Sequence, residues 1–176
     1  MKIIDLALSG VKLVEPQVFC DERGYFLETY RETDYRERGI SCAFVQDNHS
    51  YSKKGTLRGM HFQALPGQAK LVSVVRGEIF DVVVDIRPHS PTFRKWLGVR
   101  LNAREHQQLF IPVGYAHGFC VLSEEADVCY KVSSHYDPAQ EKTFRYDDPD
   151  VGIEWPVEAS YISPKDLAAP YLRDCL

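Results

Sequence analysis

No stretch of this chain is apolar over the roughly 20 residues that a membrane-crossing helix needs. Basic residues form no block, and the formal charge is -4, so the electrostatic footprint of a nucleic-acid binder is missing. The five cysteines, Cys20, Cys42, Cys120, Cys129 and Cys175, are odd in number and share no close spacing. That pattern excludes a disulfide framework and a zinc knuckle and reads as reduced thiols in a cytoplasmic protein. Met1 to Asp5 carries no signal-peptide pattern, because Asp5 interrupts a very short apolar run. A glycine-rich phosphate loop, a dinucleotide fingerprint and a G-x-S-x-G elbow are all missing. So are internal repeats, low-complexity segments and linkers, and the expectation is a single domain over residues 1–176.

What is present is 176 residues with 44% hydrophobic and 26% charged content, enough for a sizeable core. Short β-prone runs recur about every ten residues, broken by Gly, Pro, Asn and Asp, which predicts an all-β sandwich or barrel. The expected strands are Val11–Glu15, Gly24–Tyr30, Ala43–Ser52, Leu57–Phe62, Ala69–Arg76, Ile79–Ile86, Trp96–Leu101, Gln108–Ile111, Gly118–Leu122 and Asp127–Ser134. Arg76-Gly77-Glu78 reads as a hairpin turn built on glycine. Arg31–Arg38, followed by Gly39, predicts a short helix ending at a glycine. Ser163-Pro164 predicts a capped helical turn over Pro164–Ala168.

Several titratable residues fall inside these strands, where charge is costly without a purpose. Side chains alternate across a strand. Lys70 therefore shares a face with Val72 and Val74, and Tyr130 shares one with Val128 and Val132. Both are expected to point into an apolar interior. His61, close to Arg58, Gln63 and Lys70, is the leading candidate base, since imidazole titrates near neutral pH. Such a base needs an orienting carboxylate, and the pattern leaves Asp81, Asp85 and Asp166 open. Tyr130 is a candidate proton donor and Lys70 a candidate oxyanion stabiliser. Arg23 and Arg58 suit phosphate oxygens through a bidentate fork, and Tyr136 suits stacking on a flat base. Pro112-x-Gly-x-x-His117 resembles the second cupin motif, but the His-x-His of the first is missing. Two histidines alone make a poor metal site, so none is expected.

Taken in order, several motifs resemble those of the dTDP-4-dehydrorhamnose 3,5-epimerase family. They are Phe19-Cys20-Asp21-Glu22-Arg23-Gly24-Tyr25-Phe26, Phe44-Val45-Gln46-Asp47-Asn48-His49-Ser50, Leu57-Arg58-Gly59-Met60-His61-Phe62-Gln63 and Ala69-Lys70-Leu71-Val72. Phe80 to Asp85, Ile111 to Phe119, Tyr130-Lys131, Gly152 to Pro156 and Ser163 to Asp166 complete the set. The resemblance implies a cupin-type jelly-roll with short peripheral helices, a homodimer, and no cofactor or metal. It implies conversion of dTDP-4-dehydro-6-deoxy-D-glucose to dTDP-4-dehydro-L-rhamnose, with His61 as base, Asp166 orienting it, Tyr130 as opposing acid and Lys70 supporting the enolate. Arg23, Glu28, Gln46, Asp47, Asn48, Arg58, His117, Glu141 and Lys165 fall on substrate-contact positions, and Tyr136 on the one that stacks with thymine. A mono-epimerase or ketoisomerase on a related keto sugar would share the same base. The short Gln63–Lys70 segment, Tyr25 and Cys42 depart from the usual pattern without removing any of these residues.

Overall fold

The computed structural model describes residues 1–64 and 66–175. In chain order its elements begin with β1 (Lys2–Asp5), β2 (Lys12–Glu15), β3 (Val18–Asp21), β4 (Gly24–Leu27), α1 (Glu32–Glu37), β5 (Gln46–Lys53), β6 (Thr56–Gln63) and β7 (Lys70–Arg76). They continue with β8 (Glu78–Asp85), β9 (Trp96–Asn102), β10 (Gln108–Ile111), β11 (Tyr115–Val121), β12 (Glu125–Val132), β13 (Glu141–Thr143), β14 (Tyr161–Ile162) and α2 (Pro164–Leu167). A single 3-10 turn spans Leu172–Asp174. No helix among the described residues is long and apolar enough to cross a membrane.

Two sheets face each other as a jelly-roll sandwich. One runs β1-β2-β10-β7-β12-β5, the other β13-β6-β11-β8-β9 with β14 parallel to β6. The alternation that places side chains on opposite faces fills the space between them. Val72, Val74, Leu109, Ile111 and Val128 meet Ile79, Val83, Tyr115, Phe119 and Val121 there. Behind the second sheet, Met60, Phe62, Val82, Val84 and Ala116 pack under Phe144, Val151 and Leu172 of the last segment. Behind the first, α1 sets Tyr35 against Val14, Leu71 and Phe110. The hairpin of β3 and β4 stands apart as its own two-stranded sheet, with Phe19, Tyr25 and Phe26 exposed.

All ten expected strands are present, with ends shifted by up to a few residues. β4 stops at Leu27 rather than Tyr30, and β5 begins at Gln46 rather than Ala43. The helix over Glu32–Glu37 stops just before Gly39, whose φ is +87°. Ser163 caps α2 by accepting from the Asp166 amide. One expectation is corrected: Arg76-Gly77-Glu78 is no hairpin. β7 and β8 belong to different sheets, and Gly77 is the corner between the layers. Its φ is +79° and an added Cβ would lie 2.0 Å from the Glu125 carbonyl oxygen, so only glycine turns the chain this tightly.

Candidate active site

A break in strand alternation builds the site. β11 pairs with β6 so that His117 faces His61 while Phe119 faces Arg58, two residues on one strand spanning three on the other. The extra residue is a β-bulge, a device common beside active sites because it re-aims side chains. It lets Arg58 and His61 line the same cavity while Met60 and Phe62 stay in the core behind. Glycines permit it. An added Cβ on Gly59 (φ +132°) would sit 2.6 Å from the Gly118 Cα, so the two backbones touch where the bulge forms.

His61 Nε2 lies 2.7 Å from Asp166 Oδ1, and the Gly59 amide donates to Asp166 Oδ2 at 3.4 Å. Asp166 is 3% exposed. Burial raises its pKa, yet the His61 hydrogen bond and charge, the Gly59 amide and Ser163 outweigh burial and hold it below the usual carboxylate range. The carboxylate is thus ionised and fixes the imidazole with Nε2 as donor, leaving Nδ1 as the proton acceptor. Asp85, the second carboxylate left open by the sequence, is elsewhere employed. It accepts from Arg87, Ser90 and Thr92, and Arg87 in turn donates to the Tyr115 hydroxyl. Asp81, the third, is fully buried with both oxygens 2.9 Å from His117 Nε2. A second histidine–carboxylate pair therefore lies beside the first. The alternation of Asp81 with Val83 was its sequence signal, though not its partner.

A cavity of about 200 Å3 is lined by Ser50, Arg58, His61, Lys70, His117, Phe119, Tyr130 and Glu141. β6 and β11 supply its His61 wall and β7 and β12 its Lys70 and Tyr130 wall, so His61 and Tyr130 project from opposite sheets. Tyr130 pairs with Val72 on one side and Asn48 on the other, which fixes its inward face. Burial raises the Tyr130 phenol pKa, with Arg58 working against the rise. Lys70 is buried and has no hydrogen-bond partner among the described residues. Desolvation pulls its pKa down to about 8, against the pull of Asp81 and Glu141. Burial likewise lowers His117, partly offset by Asp81. The cavity thus carries an ammonium, a neutral phenol and two imidazoles held by carboxylates.

A larger, more polar hollow of about 620 Å3 adjoins it, sharing Arg58, His61 and Glu141 and adding Tyr136, Lys165 and Asp166. Tyr136 donates to Glu141 Oε2 at 3.0 Å, and Lys165 makes an ion pair with the same carboxylate. Burial raises the Glu141 pKa, but the Lys165 and Tyr136 hydrogen bonds outweigh it and keep the group ionised. Arg58 is steadied by donating to Ser52 Oγ at 2.9 Å and the Tyr51 carbonyl at 3.1 Å. Gln46 and Asn48 are joined at 2.8 Å, and Gln46 accepts from the Tyr136 amide. Five residues expected at substrate contacts, Arg23, Glu28, Gln46, Asp47 and Asn48, lie outside the lining of both hollows, although Gln46 and Asn48 project from β5 on the face that carries Ser50. Asp47 faces the other side of β5 and pairs with Lys131. Arg23 pairs with Asp21, and Glu28 with Arg31, on or beside the exposed β3–β4 arm.

The chain is similar to known proteins over nearly its whole length. Residues 5–174 match the family described as dTDP-4-dehydrorhamnose 3,5-epimerase. A protein of that name from Neisseria gonorrhoeae is 53% identical over 96% of this chain, which spans 52% of that relative's length. One from Methanothermobacter thermautotrophicus is 50% identical over 98% of this chain and 95% of its own. The crystal structure of a dTDP-6-deoxy-D-glucose-3,5-epimerase from Legionella pneumophila, in complex with dTDP-4-keto-L-rhamnose, superposes with a TM-score of 0.95. It is 48% identical and covers 98% of this chain and 93% of the other. Matched by the family model over residues 5–174 and half identical to a relative covered almost end to end, the chain belongs to the dTDP-4-dehydrorhamnose 3,5-epimerase family.

Proposed function

We propose that this chain converts dTDP-4-dehydro-6-deoxy-D-glucose to dTDP-4-dehydro-L-rhamnose by inverting C3 and C5 beside the C4 ketone. The observation that carries this reading is the shared cavity, with His61 on one sheet and Tyr130 on the other. His61 Nδ1 takes the proton from the carbon, and the C–H electrons move into the C4 carbonyl to give an enolate. Asp166 steadies the imidazolium through Nε2. The Lys70 ammonium lies in the same cavity to hold the enolate oxygen. Tyr130 then gives its proton to the opposite face, the electrons return to carbon and the ketone re-forms. Exchange with solvent resets both groups. Acid–base assistance of this kind contributes roughly a hundred- to ten-thousandfold. The ketone is the electron sink, so no step calls for a cofactor.

The polar hollow is assigned to the nucleotide, with Arg58 and Lys165 toward the diphosphate and Tyr136 stacking on thymine. The distant Arg23 and Glu28 are assigned to a homodimer in which the β3–β4 arm reaches a partner's site. Its exposed Phe19, Tyr25 and Phe26 support that assignment. All five cysteines are free, which supports a reducing, cytoplasmic location.

The test is turnover of the keto sugar in deuterated water followed by NMR. Deuterium should enter at both C3 and C5, and His61→Ala should abolish both. Label at one carbon alone would reassign the chain as a mono-epimerase. Unchanged exchange in His61→Ala would remove His61 as the base.

A further inference from the structure

Ser50 projects from β5 on the same face as Gln46, Asn48 and Ser52, and its cross-strand partner on β12 is Val128. Tyr130 is its diagonal neighbour on that face, within reach of a shared ligand. Ser50 lines the cavity that holds His61, Lys70, His117 and Tyr130. Its hydroxyl oxygen is shut off from solvent and has no hydrogen-bond partner among the described residues. Only two other buried side-chain polar atoms there share that condition, Arg94 Nε and Thr143 Oγ1, and neither residue lines the cavity.

Leaving a buried hydroxyl unpaired is costly, so such groups are rare unless something satisfies them. Here the surroundings say what would. The other polar side chains of the cavity are Arg58, His61, Lys70, His117, Tyr130 and Glu141, each charged or already assigned a proton to move or hold. Ser50 adds a neutral group that can both donate and accept. That suits a sugar hydroxyl, which does the same. Staggered wells about its single side-chain bond let the oxygen turn toward the cavity at little cost.

We propose that the Ser50 hydroxyl is a further substrate-contacting group, hydrogen-bonding a sugar oxygen that the bound keto sugar presents to the Tyr130 wall. The assignment rests on the epimerase reading of this site. Its signature is a trade of stability for function. Ser50→Ala removes a group that the empty protein leaves unsatisfied, so the variant should melt at the same temperature as the parent or higher. It should also lose about tenfold in kcat/KM for the keto sugar, the size of one hydrogen bond near 1.4 kcal/mol. Inhibition by dTDP, which lacks the sugar, should not change.

The experiment measures these three quantities on the full chain, with the parent assayed beside it. A parent that fails to turn over the keto sugar refutes the epimerase reading itself. With an active parent, unchanged kcat/KM in Ser50→Ala overturns the proposal. A lower melting temperature would show that the hydroxyl serves the fold, and a matching loss of dTDP affinity would place the contact on the nucleotide. Either result also overturns it.

Discussion

Lys70 illustrates how one side chain sets a working range. The ordinary lysine value of 10.5 falls to about 8 because the amine is buried, even with Asp81 and Glu141 drawing it upward. Those two carboxylates are therefore what holds the charged form of Lys70 in a site that burial makes unfavourable for it. If the charged form holds the enolate, turnover falls as pH rises through about 8. Stability moves the other way in that window. Between about 8 and 10.5 the unfolded chain binds more protons at this site, so Lys70 contributes a rise in stability with pH. A rate lost there without unfolding identifies titration. Asp81→Asn should move the alkaline limb of kcat to lower pH, and an unmoved limb would detach Asp81 from Lys70. Tyr130→Phe should keep solvent exchange of substrate hydrogens while cutting inversion at one carbon by about a hundredfold. Equal loss of both would end the division of labour between base and acid. Lys70 and Tyr130 were legible in the sequence because alternation with valines shows a polar group on an apolar face. The partner of His61 was left open by pattern among Asp81, Asp85 and Asp166, since Asp166 lies 105 residues away; only the family resemblance singled it out.

At the scale of elements, β6 carries most of the site. It pairs with β11, β13 and β14, and its bulge turns Arg58 and His61 onto one cavity. Simple alternation sets residues three apart on opposite faces, and the bulge is what overrides it here. The short strands β1, β3, β13 and β14 also went unpredicted. With two to four residues each, they depend on a neighbour for their hydrogen bonds more than on their own composition. Gly77 misled for a related reason, since a glycine between two strands looks the same whether the chain folds back or changes layer. The bulge makes a firm prediction. Gly59→Ala forces a Cβ to 2.6 Å from the Gly118 Cα at a φ of +132°. The cost should be about 3 kcal/mol, seen as a melting temperature lowered by roughly 10 °C. A variant that melts like the parent would mean that the β6–β11 contact has room to spare.

For the molecule as a whole, the β3–β4 arm poses the question of assembly. Phe26 is 66% exposed on it, and Arg23 and Glu28 lie near it, away from the cavity. If the proposed homodimer forms through this arm, Phe26→Asp should shift sedimentation to the monomer and lower kcat/KM while leaving His61 and Asp166 in place. A monomer with full activity would separate the arm from the site. The site also depends on parts far apart in sequence. The proposed base, His61, sits on the sixth strand, while the carboxylate bonded to it is carried by α2, just beyond the β14 strand that pairs with β6. Long-range contacts of this kind close late. A chain emerging from the ribosome therefore carries an unoriented imidazole until residues beyond 160 have been made and have settled. Catalytic competence in this protein is accordingly a marker of finished folding, and a pulse-chase assay of newborn activity would time the docking of its last helix.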